Sequence, residues 1–320
     1  MRRLLAWTLP LAPALLVLVS LTRFMRFEAR WIILLAAFSP YALIGYFLLL
    51  LAFLFAARRA GRSPLLVIGA VVSVLGIVAH VVWLLPLFVD DDRAGSPDLT
   101  VLTANLDASQ WGAATVVDAA REGEVDVVVL EEVTPLCLDR LLARGLGELL
   151  THRRGAPSQT DRGIMVFSRF PLGQPRALPL SKGGLDLQVL APNPFRLLVV
   201  HTSQPVKHAS TWVKDLAVVR LEAASSVDAG DTVVVGDFNA TREHSQFRTV
   251  LEQGLRDAAE QAGSGWQPTW PTRDWKAWLR PLIALDHVLT SEAYVARRIH
   301  TVETEDSDHL ALIAVLDRRG

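Results

Sequence analysis

Hydrophobic residues are distributed very differently before and after about residue 97. Residues 4–22, 31–57 and 65–89 contain no Asp, Glu, Lys or Arg, and these apolar segments are 19, 27 and 25 residues long. A helix that crosses a hydrocarbon core needs about 20 apolar residues. The pattern therefore predicts three transmembrane helices, which together form a membrane anchor over residues 1–89.

Two features of this predicted anchor allow more than one interpretation. Arg2 and Arg3 precede the first apolar segment, as in a cleavable signal peptide, but no small-residue cleavage site follows, which favours a retained helix. His80 lies inside the third segment, where an ionisable side chain is either functional or part of helix packing. Packing is the favoured interpretation for His80.

Beyond residue 97 the chain alternates between short branched apolar runs and segments of helical periodicity. This alternation predicts a mixed α/β domain over residues 98–320, reached through an Asp-rich linker over residues 90–97. The predicted strands cover residues 99–104, 125–130, 163–168, 186–190, 197–200, 233–235, 298–302 and 310–316, and the predicted helices cover residues 111–121, 135–143 and 209–227.

Polar side chains occur where the predicted strands begin or end. Buried strands that terminate in Asp, Asn, Glu and His bring those groups together at one rim of a sheet. Oxygen ligands beside an imidazole are what metal-assisted phosphate chemistry uses. The pattern therefore predicts an enzyme, with these strand-end residues as its candidate site: Asn105, Glu132, His201, Asp237 with Asn239, Asp286, and Asp308 with His309.

The order of these motifs resembles the endonuclease/exonuclease/phosphatase superfamily, whose fold is that of deoxyribonuclease I. The resemblance spans residues 99–316 and implies an α/β four-layer sandwich, with two mixed β-sheets flanked by helices. The motifs that carry it are Asn105-Leu106-Asp107, Leu130-Glu131-Glu132-Val133, residues 163–169, Val200-His201-Thr202, Gly236-Asp237-Phe238-Asn239, Leu285-Asp286-His287 and Ser307-Asp308-His309.

One position departs from the family pattern. Relatives commonly carry Gln before the metal-binding glutamate, where this chain has Glu131. The additional carboxylate either raises the affinity for a metal or faces solvent.

The metal site implied by the resemblance uses oxygen donors. Glu132 is the principal ligand, with Asn105 or Asp107 beside it, and Asp308 is either a second ligand or a proton donor. Donors of this kind favour Mg²⁺ or Mn²⁺ over zinc, which prefers nitrogen and sulfur.

The resemblance also implies roles for the remaining strand-end residues. Asp237 orients or deprotonates the attacking water, and Asn239 holds a phosphoryl oxygen. Asp286 binds His309 and favours its protonated form, which supports the transition state. His201 contacts the phosphate or the leaving oxygen.

Two further groups are candidates for substrate binding. Arg162 and Arg169 flank one predicted strand and either contact phosphate or form solvated ion pairs. Four tryptophans lie in a proline-rich loop before Asp286, which either packs on itself, with one indole in a core slot, or places two rings at the level of lipid headgroups. The core slot is assigned to Trp270, the headgroup contacts are assigned to Trp275 and Trp278, and the fourth ring is Trp266.

The other histidines are predicted to be structural or exposed. His287 adjoins a motif but points to the opposite face of its strand, so we expect a structural role. The histidines predicted to lie on the surface are His152, His208, His244 and His300.

The net charge of the domain and the membrane anchor before it restrict the class of substrate. With 23 basic and 29 acidic residues from Asp98 onward, the domain carries a net charge of about −6. A nuclease needs a basic groove for backbone phosphates, so this charge argues against nucleic acid as a partner, and a nuclease is the alternative function. The membrane anchor instead favours a phosphorylated lipid at the bilayer, and intact carboxylates argue against a non-catalytic binding module.

The layout of three spans before this domain is similar to that of actinobacterial teicoplanin-resistance membrane proteins. This resemblance implies a lipid-linked cell-wall carrier pyrophosphate as the substrate. With a cytoplasmic amino terminus, five arginines lie inside and four outside, and three spans place the catalytic domain outside the cytoplasm. We therefore expect a multi-pass protein of the cell membrane with an extracytoplasmic active site.

Overall fold

A computed structural model describes residues 11–26, 28–60, 63–91, 97–109, 111–272 and 281–319. The chain divides into a helical unit, Met1–Pro86 with Arg242–Ser245, and a β-sheet unit, Leu87–Thr241 with Gln246–Gly320. The predicted domain limits at residues 89 and 98 stay predictions, and residues 92–96 of the predicted linker lie outside the described residues.

The helical unit contains four α-helices in its described residues. The apolar segment predicted as one span over residues 31–57 is interrupted by a 3₁₀ turn at Ser39–Tyr41, because Pro40 provides no backbone N–H. That predicted span was therefore wrong in its starting point. The helices are α1 (Leu11–Leu21), α2 (Arg30–Ala37), α3 (Ala42–Ala60) and α4 (Pro64–Leu84).

Two helices in the described residues are long and apolar enough to cross a membrane. They cover Ser39–Arg59 and Pro64–Phe88, while the apolar helix Ala12–Phe24 is shorter. Residues 4–10 of the first predicted span lie outside the described residues, so a crossing by that segment remains a prediction.

Helices α3 and α4 approach closely through two glycines. A Cβ atom added at Gly69 would lie 2.4 Å from the ring of Phe53, and one added at Gly76 would lie 2.5 Å from the ring of Tyr46. Small residues at a helix interface permit this approach in membrane proteins.

A buried polar cluster joins α1, α3 and α4. Ser20 Oγ lies 3.1 Å from the Tyr46 hydroxyl and 2.9 Å from His80 Nε2. These contacts agree with a packing role for His80.

The segment Arg242–Ser245 belongs to the helical unit, and each of its four side chains makes a polar contact there. His244 is buried, so its predicted surface position was wrong. The contacts are Arg242 with the Trp83 carbonyl at 2.7 Å, Glu243 with Arg23 in a buried ion pair, His244 Nε2 with the Ile33 carbonyl at 2.9 Å, and Ser245 Oγ with the Met25 carbonyl at 2.7 Å.

The β-sheet unit consists of two six-stranded mixed sheets. Sheet A has the strand order β11-β12-β1-β2-β4-β3, and sheet B has the order β5-β6-β7-β8-β10-β9. The strands are β1 (Pro97–Asn105), β2 (Val127–Glu131), β3 (His152–Ala156), β4 (Ile164–Ser168), β5 (Arg176–Ala177), β6 (Gly184–Val189), β7 (Phe195–His201), β8 (Thr232–Asp237), β9 (Arg256–Asp257), β10 (Asp286–Thr290), β11 (Tyr294–Val302) and β12 (Ala311–Arg318).

Helices cover the outer faces of both sheets. The main core lies between the sheets and is rich in valine, including Val127 and Val129 of sheet A with Val233 and Val235 of sheet B. This arrangement confirms the predicted four-layer fold. The helices are α5 (Ala113–Glu122), α6 (Pro135–Ala143), α7 (Leu146–Leu149), α8 (Pro205–Ala229), α9 (Ser245–Leu251) and α10 (Ala258–Gln261).

Strand direction explains why the candidate residues meet. Strands β1 and β2 are parallel, with Asn105 opposite Glu131, and strands β7 and β8 are parallel, with His201 opposite Asp237. Strand β10 runs antiparallel to β8 and begins at Asp286, opposite Asp237. One rim of each sheet therefore gathers these polar residues.

Candidate active site

Backbone strain marks the turns that follow two central strands. Glu132 and Asn239 have φ values of 56° and 46°, in the left-handed region that side chains usually avoid. Gly236 has a φ of 133°, and a Cβ atom there would lie 2.2 Å from the Val200 carbonyl oxygen. The Gly-Asp-x-Asn motif thus requires its glycine for the close approach of β7.

Asn105 links the residues contributed by the two sheets. Its amide nitrogen lies 3.4 Å from Glu132 Oε1 and donates to Asp237 Oδ2 at 3.1 Å. Its amide oxygen accepts from the backbone N–H of Asp107 at 2.9 Å. Asn105 therefore holds the carboxylates of Glu132 and Asp237 at one site.

Asp237 is almost completely buried and is held by Asn239. The backbone N–H of Asn239 donates to Asp237 Oδ1 at 2.7 Å, and its side-chain amide donates to Oδ2 at 3.0 Å. Burial raises the pKa of Asp237 to about 7, with a further increase from Asp286, against the opposing effect of His309. This carboxylate can therefore accept a proton near neutral pH.

Asp286 and His309 form a buried pair. His309 Nδ1 lies 2.8 Å from Asp286 Oδ2, and His309 Nε2 lies 4.0 Å from Asp237 Oδ2. Burial lowers the pKa of His309, but the charges of Asp286 and Asp237 outweigh it and raise that pKa to about 10. At neutral pH the imidazole is protonated and directs a positive N–H toward Asp237.

His201 lies between the carboxylates of the two sheets. Its Nε2 is 3.5 Å from Glu132 Oε1 and 3.8 Å from Asp237 Oδ2, and the side chain is fully buried. Burial and the positive charges of Lys182 and His309 lower its pKa well below 6.5. These contacts therefore involve a neutral imidazole rather than an ion pair.

Lys182 enters the site from a loop that the sequence interpretation missed. Its Nζ lies 3.1 Å from Glu132 Oε1 and 3.2 Å from Asp161 Oδ2. Burial opposes its charge, but Glu132 and Asp161 raise its pKa overall. The Ser-Lys-Gly-Gly sequence was the available signal, since glycines after a lysine mark a tight turn that carries a cation.

Glu131 is fully buried, which excludes the predicted alternative in which it faces solvent. Thr103 Oγ1 donates to its Oε1 at 3.2 Å, and the carboxyl packs against Gly236. Burial, followed by the charges of Asp286 and Asp237, raises the pKa of Glu131 well above 4.5. The group therefore lies beneath the site in surroundings that disfavour its ionised form.

Asp308 and Trp270 form the edge of the site. The indole N–H of Trp270 donates to Asp308 Oδ2 at 2.9 Å, and Asp308 Oδ1 lies 3.8 Å from His309 Nε2. Trp270 therefore borders the site rather than filling a core slot. Trp275 and Trp278 lie outside the described residues.

The remaining candidates lie away from this cluster or have structural partners. Asp107 donates its backbone N–H to Asn105 and lines a depression of about 390 Å³ with Trp111 and Asp306, and Arg162 is exposed. Arg169 pairs with Asp126 at 3.3 Å, as in the ion-pair alternative. His287 bonds Asp257 at 2.7 Å and the Ala240 carbonyl at 2.9 Å, which agrees with its predicted structural role.

Within the described residues, one group of three side chains is close enough to hold a metal ion. Donor atoms of Asp237, Asp286 and His309 lie within 4.8 Å of one another. His309 is protonated and its Nδ1 is bonded to Asp286, so this set would have to release a proton to ligate. Glu132 offers a further carboxylate beside this set, whereas Asn105 must rotate its amide to present oxygen.

Solved structures with the same fold include proteins of several named activities. Truncated Caenorhabditis elegans TDP2 has a TM-score of 0.58 at 16% identity, covering 68% of this chain and 97% of that chain. Sphingomyelinase C from Streptomyces griseocarneus has a TM-score of 0.54 at 17% identity, covering 69% and 99%. The 3′ phosphatase NExo from Neisseria, bound to a product DNA hairpin, has a TM-score of 0.55 at 19% identity, covering 68% and 99%.

No curated protein sequence matches this chain significantly. A family model does match, over residues 102–309, and this range runs from the buried strand β1 to the histidine of the Asp286–His309 pair. The fold, the strand-end carboxylates and this match together show that the chain belongs to the endonuclease/exonuclease/phosphatase family.

Proposed function

We propose that the protein is a membrane-anchored, Mg²⁺-dependent phosphohydrolase that acts on a phosphorylated lipid at the bilayer surface. The observation that carries this proposal is the buried cluster in which Asn105 links Glu132 and Asp237 beside the Asp286–His309 pair. The resemblance to teicoplanin-resistance membrane proteins suggests a lipid-linked cell-wall carrier pyrophosphate as the substrate.

The residues of the cluster suit hydrolysis of a phosphate ester. Asp237, whose pKa is about 7, accepts a proton from water near neutral pH, and Asn239 orients that carboxylate. Protonated His309 offers a positive N–H to stabilise the charge that develops on the phosphoryl oxygens. Mg²⁺ bound by Glu132 would supply further neutralisation of the phosphate charge.

The helical unit supports a lipid substrate. Two of its helices are long and apolar enough to span a bilayer, and a tether to the bilayer raises the effective concentration of lipids that diffuse in its plane. The solved neighbour from Streptomyces griseocarneus is titled a sphingomyelinase, so the fold is compatible with lipid chemistry. With three crossings the site would face the extracytoplasmic side.

A nuclease is the second candidate. Two solved neighbours are described with DNA, a Danio rerio TDP2 with a single-strand product and NExo with a hairpin. The net charge of about −6 from Asp98 onward argues against this candidate, since backbone phosphates dominate nucleic-acid affinity.

One assay distinguishes the lipid phosphohydrolase from the nuclease. Release of phosphate, or of a cleaved ester, is measured with the detergent-solubilised protein on prenyl pyrophosphates, phospholipids and DNA, with Mg²⁺ and with EDTA. The proposal expects Mg²⁺-dependent release that is fastest on a lipid phosphate. Faster cleavage of DNA than of every lipid would support the nuclease.

A further inference from the structure

The chain places a lysine against its best candidate metal ligand. Lys182 Nζ lies 3.1 Å from Glu132 Oε1, and the two side chains are only 13% and 9% exposed. Lysine is rare here: the chain has four lysines among 32 basic residues, and two of the others, Lys207 and Lys214, are exposed on α8. The lysine ammonium is a compact charge on a flexible side chain. Unlike the planar guanidinium of arginine, it can move between partners.

The loop that carries Lys182 is held in place by a buried carboxylate. Asp215 of α8 accepts hydrogen bonds from Ser181 N at 3.0 Å, Ser181 Oγ at 2.5 Å and Ser203 N at 2.8 Å. The carbonyl of Gly183 accepts from the N–H of His201 at 3.2 Å. The loop is therefore hydrogen-bonded to both α8 and β7, which orients Lys182 before any ligand binds.

Lys182 and His309 border the same pair of carboxylates. Lys182 lies beside Glu132, His309 Nε2 lies 4.0 Å from Asp237 Oδ2, and Asn105 bridges those two carboxylates. A terminal phosphate carries between one and a half and two negative charges near neutral pH, whereas a phosphodiester carries one. The ammonium of Lys182 stabilises the more highly charged anion to a greater extent.

We propose that Lys182 is a substrate-binding residue that donates to a phosphate oxygen and selects terminal phosphates, monoesters or pyrophosphates, over phosphodiesters. The inference rests on the proposed function, because it assumes that the cluster around Glu132 binds phosphate. An ammonium has three N–H donors, so Lys182 can keep one carboxylate contact and still reach a phosphate oxygen. Because Lys182 and a divalent cation draw on the same carboxylate, Lys182 also weakens cation binding at Glu132.

Binding measurements on the full chain in detergent test this proposal without turnover. Titration calorimetry with inorganic phosphate and with dimethyl phosphate, both in excess Mg²⁺, measures the selectivity for the dianion. Lys182→Met is expected to weaken phosphate binding about 10-fold or more, to change dimethyl phosphate binding much less, and to tighten Mg²⁺ binding. Lys182→Arg should retain part of the phosphate affinity, and Lys214→Met is the matched control.

A second variant with an exposed side chain covers the case in which Lys182→Met does not fold. Asp161 is 50% exposed and competes with phosphate for Lys182, so Asp161→Asn is expected to tighten phosphate binding. Unchanged phosphate affinity in Lys182→Met, or weaker phosphate binding in Asp161→Asn, would show that Lys182 forms only a structural ion pair. The parent protein could bind phosphate, lose that binding in Lys182→Met, and still hydrolyse no lipid phosphate. That combination would uphold the role of Lys182 and overturn only the proposed function.

Discussion

The carboxyl group of Glu131 lies beneath the site and supports it without lining it. It lies under Gly236, accepts a hydrogen bond from Thr103 and has a pKa well above 4.5 because of burial. The folded protein therefore keeps this proton after the unfolded chain has released it, so this group makes the protein less stable as pH rises above the unfolded value.

Replacing Glu131 with Gln keeps the size and the hydrogen bond but removes the titration. The variant is expected to melt at a higher temperature than the parent at pH 8 and at nearly the same temperature near pH 4.5. Activity should be retained, because Gln keeps the hydrogen bond from Thr103 beneath the site. Thermal unfolding at both pH values checks this, and a variant that melts lower at pH 8 would show that Glu131 is ionised in the folded protein.

Asp237 and His309 predict the pH dependence of turnover. Asp237, with a pKa of about 7, must lose its proton to act as a base, while His309, with a pKa of about 10, stays charged at neutral pH. We expect kcat/KM to rise up to about pH 7, with a plateau above it. Asp237→Asn should reduce kcat/KM by about 100-fold or more and remove the acidic limb. An acidic limb that persists in the residual activity of Asp237→Asn would assign it to another group.

The sequence predicts some residues of the site better than others. Asn105, Glu132, His201, Asp237 and His309 follow or precede apolar strand runs, so their shared rim could be expected. Lys182 lies in a loop and reaches the site only through packing on α8, which a one-dimensional pattern does not contain. Glu131 was left undecided because a strand-end side chain points to either face.

At the level of single elements, the agreement with the prediction varies: the helix predicted over residues 135–143 has these limits in the structure, whereas β3 was not predicted. The short valine runs correspond to β2, β7 and β8, because a strand between two packed layers must be apolar on both faces. Apolar composition alone does not show where a membrane helix starts, and the break at Pro40 came from backbone chemistry instead. No sequence pattern predicted the position of segment Arg242–Ser245, yet its side chains pack in the helical unit.

The ion pair between Arg23 and Glu243 should contribute measurably to the free energy of unfolding. Both side chains are buried, at 8% and 3% exposure, so Glu243→Ala leaves a buried arginine without that carboxylate. We expect a loss of about 3–5 kcal/mol in stability, seen as a lower melting temperature in detergent. Replacing both residues by Met should recover much of it, and Glu252→Ala, at an exposed position, is the control. A Glu243→Ala variant that melts with the parent would contradict a stabilising role for the pair.

At the scale of the whole molecule, the topology depends on residues 4–22. Two helices in the described residues can span a bilayer, and a third crossing by the first segment would place the active site outside the cytoplasm. Alkaline phosphatase fused after Gly320 is therefore expected to be active in cells, while a reporter that works only in the cytoplasm should stay inactive. The reverse pattern would show an even number of crossings.

We propose that Glu132 supports Mg²⁺-dependent hydrolysis of a lipid phosphate. The most direct measurement compares the full chain and its Glu132→Gln variant in vesicles that contain a prenyl pyrophosphate, with Mg²⁺ and with excess EDTA. We expect release of phosphate by the parent with Mg²⁺ only, and a rate lower by about 100-fold or more in the variant. Full activity in EDTA, or an undiminished rate in Glu132→Gln, would contradict it.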